Sequence, residues 1–176
     1  MGFGKVILVD KNDMPIGVMD KLEAHEKGAL HRAFSIFLFN YRGEMLLQKR
    51  ATEKYHCGGL WSNTCCSHPQ PDEKISDNMT QKLMQEMGIS APLQKAFTFL
   101  YRSEMANGLI EHELDHIYTG IYTGAPSVNP EEVEAWSYCS IEKIGLELQR
   151  NPEQFTPWFR LLFDPVVNHI QNLKRA

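Results

Sequence analysis

Two apolar runs, "HRAFSIFLFN" (31–40) and "EMLLQKR" (44–50), flank the Arg42-Gly43 turn. They constrain the fold more than any other feature of the chain. Runs of this composition closed by a glycine turn predict a β-hairpin. Further strands are predicted at "KVILVD" (5–10), "KAFTFLYRSEM" (95–105), "IEHELDHIYTGIY" (110–122) and "EVEAWSYCS" (132–140). In "EKISDNMTQKLMQEMG" (73–88) the period changes: Ile75, Met79, Leu83 and Met87 fall at i, i+4 spacing, and Gly88 marks a helix end. "KLEAHEKG" (21–28) predicts one short helical turn closed by Gly28. "IEKIGLELQR" (141–150) and "TPWFRLLFDPVVNHIQNLKR" (156–175) predict two more helices, the second bent at Asp164-Pro165. No repeat, low-complexity tract or linker interrupts this order, so one domain over 1–176 is expected. Strands and helices mixed in this way predict an α/β (mixed α+β) fold, a sheet with helices packed on both sides.

At 176 residues, with 43% hydrophobic and 23% charged residues, the chain has the material of one ordinary globular core. A net charge of −4 argues against general nucleic-acid binding. No apolar run approaches a membrane span, and "MGFGKVILVD" has charges directly after its apolar stretch, unlike a signal peptide. It lacks the Ser or Thr of a myristoylation signal, and "LKRA" is no prenylation site. A cytoplasmic protein is expected, with Cys57, Cys65, Cys66 and Cys139 as thiols rather than disulfides.

The stretch "WSNTCCSHP" (61–69) sets two adjacent cysteines just before His68. On a strand, Cys65 and Cys66 point to opposite faces, so at most one of them looks into a given site. A zinc knuckle from Cys57, one of this pair and His68 is disfavoured, because the gap from Cys57 to Cys65 exceeds knuckle spacing. Glu111 and Glu113 share one face of a predicted strand, as a solvent-facing pair or as metal ligands. Apolar residues on the neighbouring strand (Phe97, Phe99, Leu100, Tyr101) favour the second. With His25, His31 and His68 they make a nitrogen/oxygen set suited to Zn²⁺, Mn²⁺ or Mg²⁺, provided that they converge. Glu86 projects within about 20° of Ile75 and Met79 around its helix, so its carboxylate faces the core and needs a cation or a donor. Lys21, Arg50 and Lys54 are plain surface charges or anion contacts. Arg50 and Lys54 flank a Gly58-Gly59 loop able to hold a phosphate.

Taken together, "KLEAH", "LHRAFSIFLFN", "GGLWSNTCCSHP", "QEMGI", "IEHE" and "NPEEVEAW" resemble the type I isopentenyl-diphosphate isomerases, a branch of the Nudix fold. The pieces occur in family order over almost the whole chain. The resemblance implies a Nudix-like mixed sheet sandwiched between helices. The activity it implies interconverts isopentenyl and dimethylallyl diphosphate through a carbocation-like intermediate. It makes Cys66, Glu113 and Tyr101 catalytic, and Lys21, Arg50, Lys54, Ser67 and Trp158 substrate-binding. His25, His31, His68, Glu111 and Glu113 would hold one divalent ion (Mn²⁺, Zn²⁺ or Mg²⁺), and Glu86 a Mg²⁺ shared with the diphosphate. No flavin or nicotinamide, nucleic acid or membrane partner is implied, and a monomer is expected.

The hydrolytic Nudix box is depleted here: "QKLMQEMGI" keeps Glu86, Gly88 and the aliphatic positions. Hydrolysis needs several carboxylates around its metal ions, so the alternative of a Nudix diphosphate hydrolase is disfavoured. A non-catalytic metal-binding module is the other alternative. Lys82 stands where close relatives often carry Arg, leaving its diphosphate contact open. The implied chemistry also fixes a strand register. A two-residue turn at Asn107-Gly108 would put Tyr101 and Glu113 on opposite faces. A three-residue loop, Ala106 to left-handed Gly108, puts Tyr101 opposite Glu113 and is the predicted form.

Overall fold

The structure is a computed structural model that describes residues 4–54, 56–105, 107–173 and 175. Strands β1 (Lys5–Val9) and β2 (Pro15–Asp20) precede α1 (Lys21–Lys27) and β3 (His31–Phe39). Then come β4 (Met45–Arg50), β5 (Trp61–Ser62), β6 (Cys65–Ser67) and α2 (Ile75–Met87). The long pair β7 (Gln94–Glu104) and β8 (Ile110–Ile121) leads to β9 (Val133–Cys139), α3 (Ile141–Arg150) and α4 (Pro157–Leu173).

Strand β3 organises the sheet. Along one edge β8 runs parallel to it, from His31 opposite Glu113 to Phe39 opposite Ile121. Its other edge is shared in turn by β1 at His31, β6 at Phe34–Ile36 and β4 at Phe39. The hairpin expected from the two apolar runs therefore exists only at its tip, where Phe39 faces Met45. Beyond it β4 turns away to pair with β9 and β5. Thr64 is the wedge. Its hydroxyl accepts the Leu38 N–H at 2.9 Å and donates to the Leu46 carbonyl at 2.7 Å, giving both parting strands a partner. The sheet is thus mixed and split, and the split holds the site.

The two faces of β3 have different covers. Phe37 and Phe39 pack with Phe159, Leu162, Phe163 and Val166 of α4 and Ile144 of α3. Phe34, Ile36 and Leu38 pack with Met79, Leu83 and Met87 of α2. Each such fully buried side chain contributes about 1.5–3 kcal/mol of transfer free energy. This is the expected sheet between helices.

One element departs from expectation. Strand β2 was not predicted, because "NDMPIGVMD" carries a proline and a glycine; proline at the head of an edge strand is where a sheet tolerates it. Helix α4 runs through Pro165 as one helix, Pro157–Leu173, at the place where a bend was expected. The predicted β7–β8 loop is observed: Met105 N–H donates to Leu109 O at 2.8 Å, and Gly108 has φ +80°. Tyr101 lies opposite Glu113 and Ser103 opposite Glu111. The conformation expected of Ala106 falls outside the described residues.

Candidate metal centre and catalytic site

Five side chains from four parts of the chain meet at one end of the β3–β8 pair. His25 comes from α1, which is capped by the Asp20 carboxylate and closed by left-handed Gly28. His31 opens β3, His68 follows β6, and Glu111 and Glu113 alternate along one face of β8. One donor atom from each lies within 4.8 Å of all the others. His25 Nδ1 lies 2.6 Å from the Lys21 carbonyl, and His31 Nδ1 lies 2.8 Å from that of Ala29. A carbonyl only accepts, so in both rings Nδ1 carries the proton and the Nε2 lone pair points inward.

Those lone pairs meet other acceptors. His31 Nε2 is 3.2 Å from His68 Nε2, and His68 Nε2 is 2.8 Å from Glu113 Oε1. His25 Nε2 is 3.1 Å from Glu111 Oε2. Buried acceptors facing acceptors need a cation between them, supplied by protons or by a metal. Three imidazoles with two carboxylates form the ligand chemistry of a divalent ion, so the residues fit one. Burial drives the His68 pKa well below the ordinary range, with Lys21 and His31 acting in the same direction. Burial also opposes ionisation of Glu113, but hydrogen bonding and charge from His31 win and hold its pKa at about 2. Among the described residues the donor cluster contains no cysteine, which removes the zinc-knuckle reading.

Beside this centre, Tyr101 O–H donates to Glu113 Oε2 at 2.7 Å. Cys66 lies opposite Ser35 on β3, on the face that carries His31 and Glu113, and packs with the α4 cluster. Cys65 is fully buried in the α2 cluster, so the sheet itself separates the two thiols. Burial pushes the Cys66 thiol far up, against a smaller opposing pull from Arg50, so the sulfur is protonated at neutral pH. A cleft of about 90 Å³ joins Cys66, Glu113 and Tyr101 to Trp158. The Trp158 indole N–H donates to Ser62 Oγ at 2.9 Å, which fixes the ring, and the Arg50 guanidinium sits 5.4 Å from its centroid.

The cationic side of the same cleft comprises Lys21, Arg50, Lys54 and Lys82, with Ser67. Lys54 is engaged by Glu132 of the "NPEEVEAW" segment. Glu86 is only 6% exposed, as its helical angle predicted. It accepts from Gln48 Nε2 at 3.0 Å and lies 3.3 Å from Lys82 Nζ. Glu86 approaches from the α2 side and Glu113 from the α4 side. They share one cleft because the sheet is open between β3 and β4. Two residues escaped the sequence reading. Gln48 had no signal beyond its place in a strand. His56 lies 3.0 Å from Glu111 Oε1, and its only signal was a histidine between two expected anion contacts.

A model of the NUDIX domain matches residues 29–159. The isopentenyl-diphosphate Delta-isomerase of Pectobacterium atrosepticum is 50% identical over 174 residues, covering 99% of this chain and 97% of that protein. Isopentenyl-diphosphate Delta-isomerase 2 of Aromatoleum aromaticum is 44% identical, covering 93% and 87%. Among solved structures, DR0079 from Deinococcus radiodurans superposes with a TM-score of 0.76 at 14% identity, covering 92% of this chain and 98% of that one. The MutT protein of Methanosarcina mazei superposes at 0.64 with 19% identity, covering 82% and 96%. At such identities the structural likeness bears on the fold alone.

Proposed function

Because the chain belongs to the isopentenyl-diphosphate Delta-isomerases of the NUDIX superfamily, we propose that the split-sheet cleft is the active site in which it moves a carbon–carbon double bond. The protein interconverts isopentenyl diphosphate and dimethylallyl diphosphate. The observation that carries the site assignment is the meeting of a protonated thiol, Cys66, with an ionised carboxylate, Glu113, in one cleft.

An unactivated alkene is a weak base, so isomerisation needs an acid and a base held against different carbons of the substrate. Cys66 and Glu113 exchange these roles between the forward and reverse directions, and Tyr101 stabilises the carboxylate through its 2.7 Å bond. The intermediate has tertiary carbocation character. The indole face of Trp158 stabilises that charge. Lys21, Arg50 and Ser67 bind the diphosphate. Lys82 joins them in the cleft, and Lys54 does so by giving up Glu132.

The five-donor cluster of His25, His31, His68, Glu111 and Glu113 would hold a divalent ion. Mn²⁺, Zn²⁺ or Mg²⁺ there would fix Glu113 in place and set its acidity, and Mg²⁺ at Glu86 would neutralise the diphosphate. A hydrolase would need further carboxylates on α2, where Glu86 stands with Lys82 and Gln85. Among the described residues no helix is long and apolar enough to cross a membrane. The test is to incubate the protein with isopentenyl diphosphate and Mg²⁺ in D₂O and follow the product by NMR. Deuterium should enter the new methyl group; release of inorganic phosphate without isomerisation would overturn the reading.

A further inference from the structure

We infer that His56 is a positioning residue for the metal centre, holding Glu111 so that this carboxylate offers a single oxygen to the ion. The inference rests on the reading that His25, His31, His68, Glu111 and Glu113 bind a divalent cation. His56 stands outside that convergent set. Its Nε2 lies 3.0 Å from Glu111 Oε1, whereas the oxygen turned toward His25 is Oε2, at 3.1 Å. A carboxylate in a metal centre only accepts, so His56 Nε2 carries the hydrogen and donates. Glu111 is thereby clamped through one oxygen and free to ligate through the other. Without the clamp the carboxylate rotates and reaches the ion with both oxygens.

The loop around His56 is built to aim it there. Arg50 N–H donates to Leu60 O at 2.9 Å and Gly59 N–H to Arg50 O at 3.0 Å, closing the loop at its neck. A Cβ on Gly58 would stand 2.2 Å from the Thr52 carbonyl, so the segment folds directly onto its own start. Cys57 has φ +51°, a strained value for a residue with a side chain, and it follows His56 immediately. The Arg50 guanidinium donates to the His56 carbonyl at 3.3 Å, and the imidazole lies 5.8 Å from the Trp158 ring centroid. His56 therefore ties the metal centre to the loop that carries Arg50 and Lys54 and to the aromatic wall of the cleft.

The test strips the protein of metal with a chelator and titrates in Co²⁺, using a chromophoric competitor for affinity and the visible ligand-field bands for geometry. Three substitutions separate the possible roles: H56A, H56F, which keeps a ring against Trp158 but cannot donate, and H56Q, which keeps an N–H. Loss of an outer-shell hydrogen bond of this kind weakens metal affinity by about 10–100-fold. That loss is expected in H56A and H56F, with weaker visible bands as Glu111 supplies a second oxygen. H56Q should recover most of both readouts. Circular dichroism of the ion-free variants checks folding, and the H56F–H56Q contrast carries the test if H56A folds poorly. Wild-type affinity and spectrum in H56A or H56F would overturn the role of His56 while leaving the metal centre standing. A wild-type protein that takes up no Co²⁺ would bring down the centre and this inference together.

Discussion

Adjacent residues on a strand have opposite environments, and Cys65 and Cys66 test how far that separates function. Cys66→Ala removes the thiol that faces Glu113 and should abolish isomerisation. Cys65→Ala trims a packed sulfur between α2 and the sheet, should cost about 1 kcal/mol of stability and should keep most activity. Steady-state kinetics with urea melts on both variants separate the cases; equal losses with folding intact would make the pair one functional unit. Glu86 and His25 divide in the same way. Glu86→Gln keeps the hydrogen-bonding shape but loses the charge beside Lys82, so KM for the diphosphate should rise while the bound ion stays. His25→Ala removes a donor from the five-membered cluster and should strip that ion, as elemental analysis would record. Loss of the ion from Glu86→Gln but not from His25→Ala would mean that the two roles have been exchanged.

The elements were legible where one strand or helix declares itself by period, and obscure where several compete for one edge. Helix α2 and α1 with its glycine stop followed from spacing and turn chemistry, and the β7–β8 register followed from the implied pairing of Tyr101 with Glu113. The parting of β3 from β4 did not, since it depends on Thr64, 26 and 18 residues along the chain from the Leu38 and Leu46 that it bridges, inserting its hydroxyl between the strands. Nothing local in "WSNTCC" announces that contact. His56 was hidden for a related reason: its aim comes from a folded-back loop, not from a periodic element. The wedge makes a sharp prediction. Thr64→Val keeps shape and removes the hydroxyl, leaving the Leu38 N–H and Leu46 carbonyl buried without that partner. Each such orphan costs about 1–3 kcal/mol, so urea denaturation should show a total loss of about 2–6 kcal/mol. Thr64→Ser, which restores the hydroxyl, should recover most of it. An unperturbed Thr64→Val would mean that packing alone holds the split open.

At the scale of the whole molecule, the five-donor cluster joins α1, β3, the segment after β6 and β8 at one node, so ion binding there should register as global stability. An ion at a hundred times its Kd adds about 2.7 kcal/mol, which for a chain of this size raises Tm by about 5–10 °C. The sign of the pH dependence follows from His25. In the ion-free protein burial works against its charged form, but the hydrogen bond and charge of Glu111 prevail and raise its pKa. A raised folded-state pKa contributes stability that is fully present below the ordinary histidine value near 6.5 and fades as pH climbs through the folded value. Metal binding has the opposite sense, because it needs His25 unprotonated. The ion-free protein should therefore lose the His25 contribution as pH rises from the ordinary value near 6.5 through the raised folded value, while the metal-loaded protein should not. The gap in Tm between the two forms should widen over that range. Differential scanning fluorimetry with and without chelator measures it directly. A gap that stays constant or narrows with rising pH would show that proton and metal do not compete for His25.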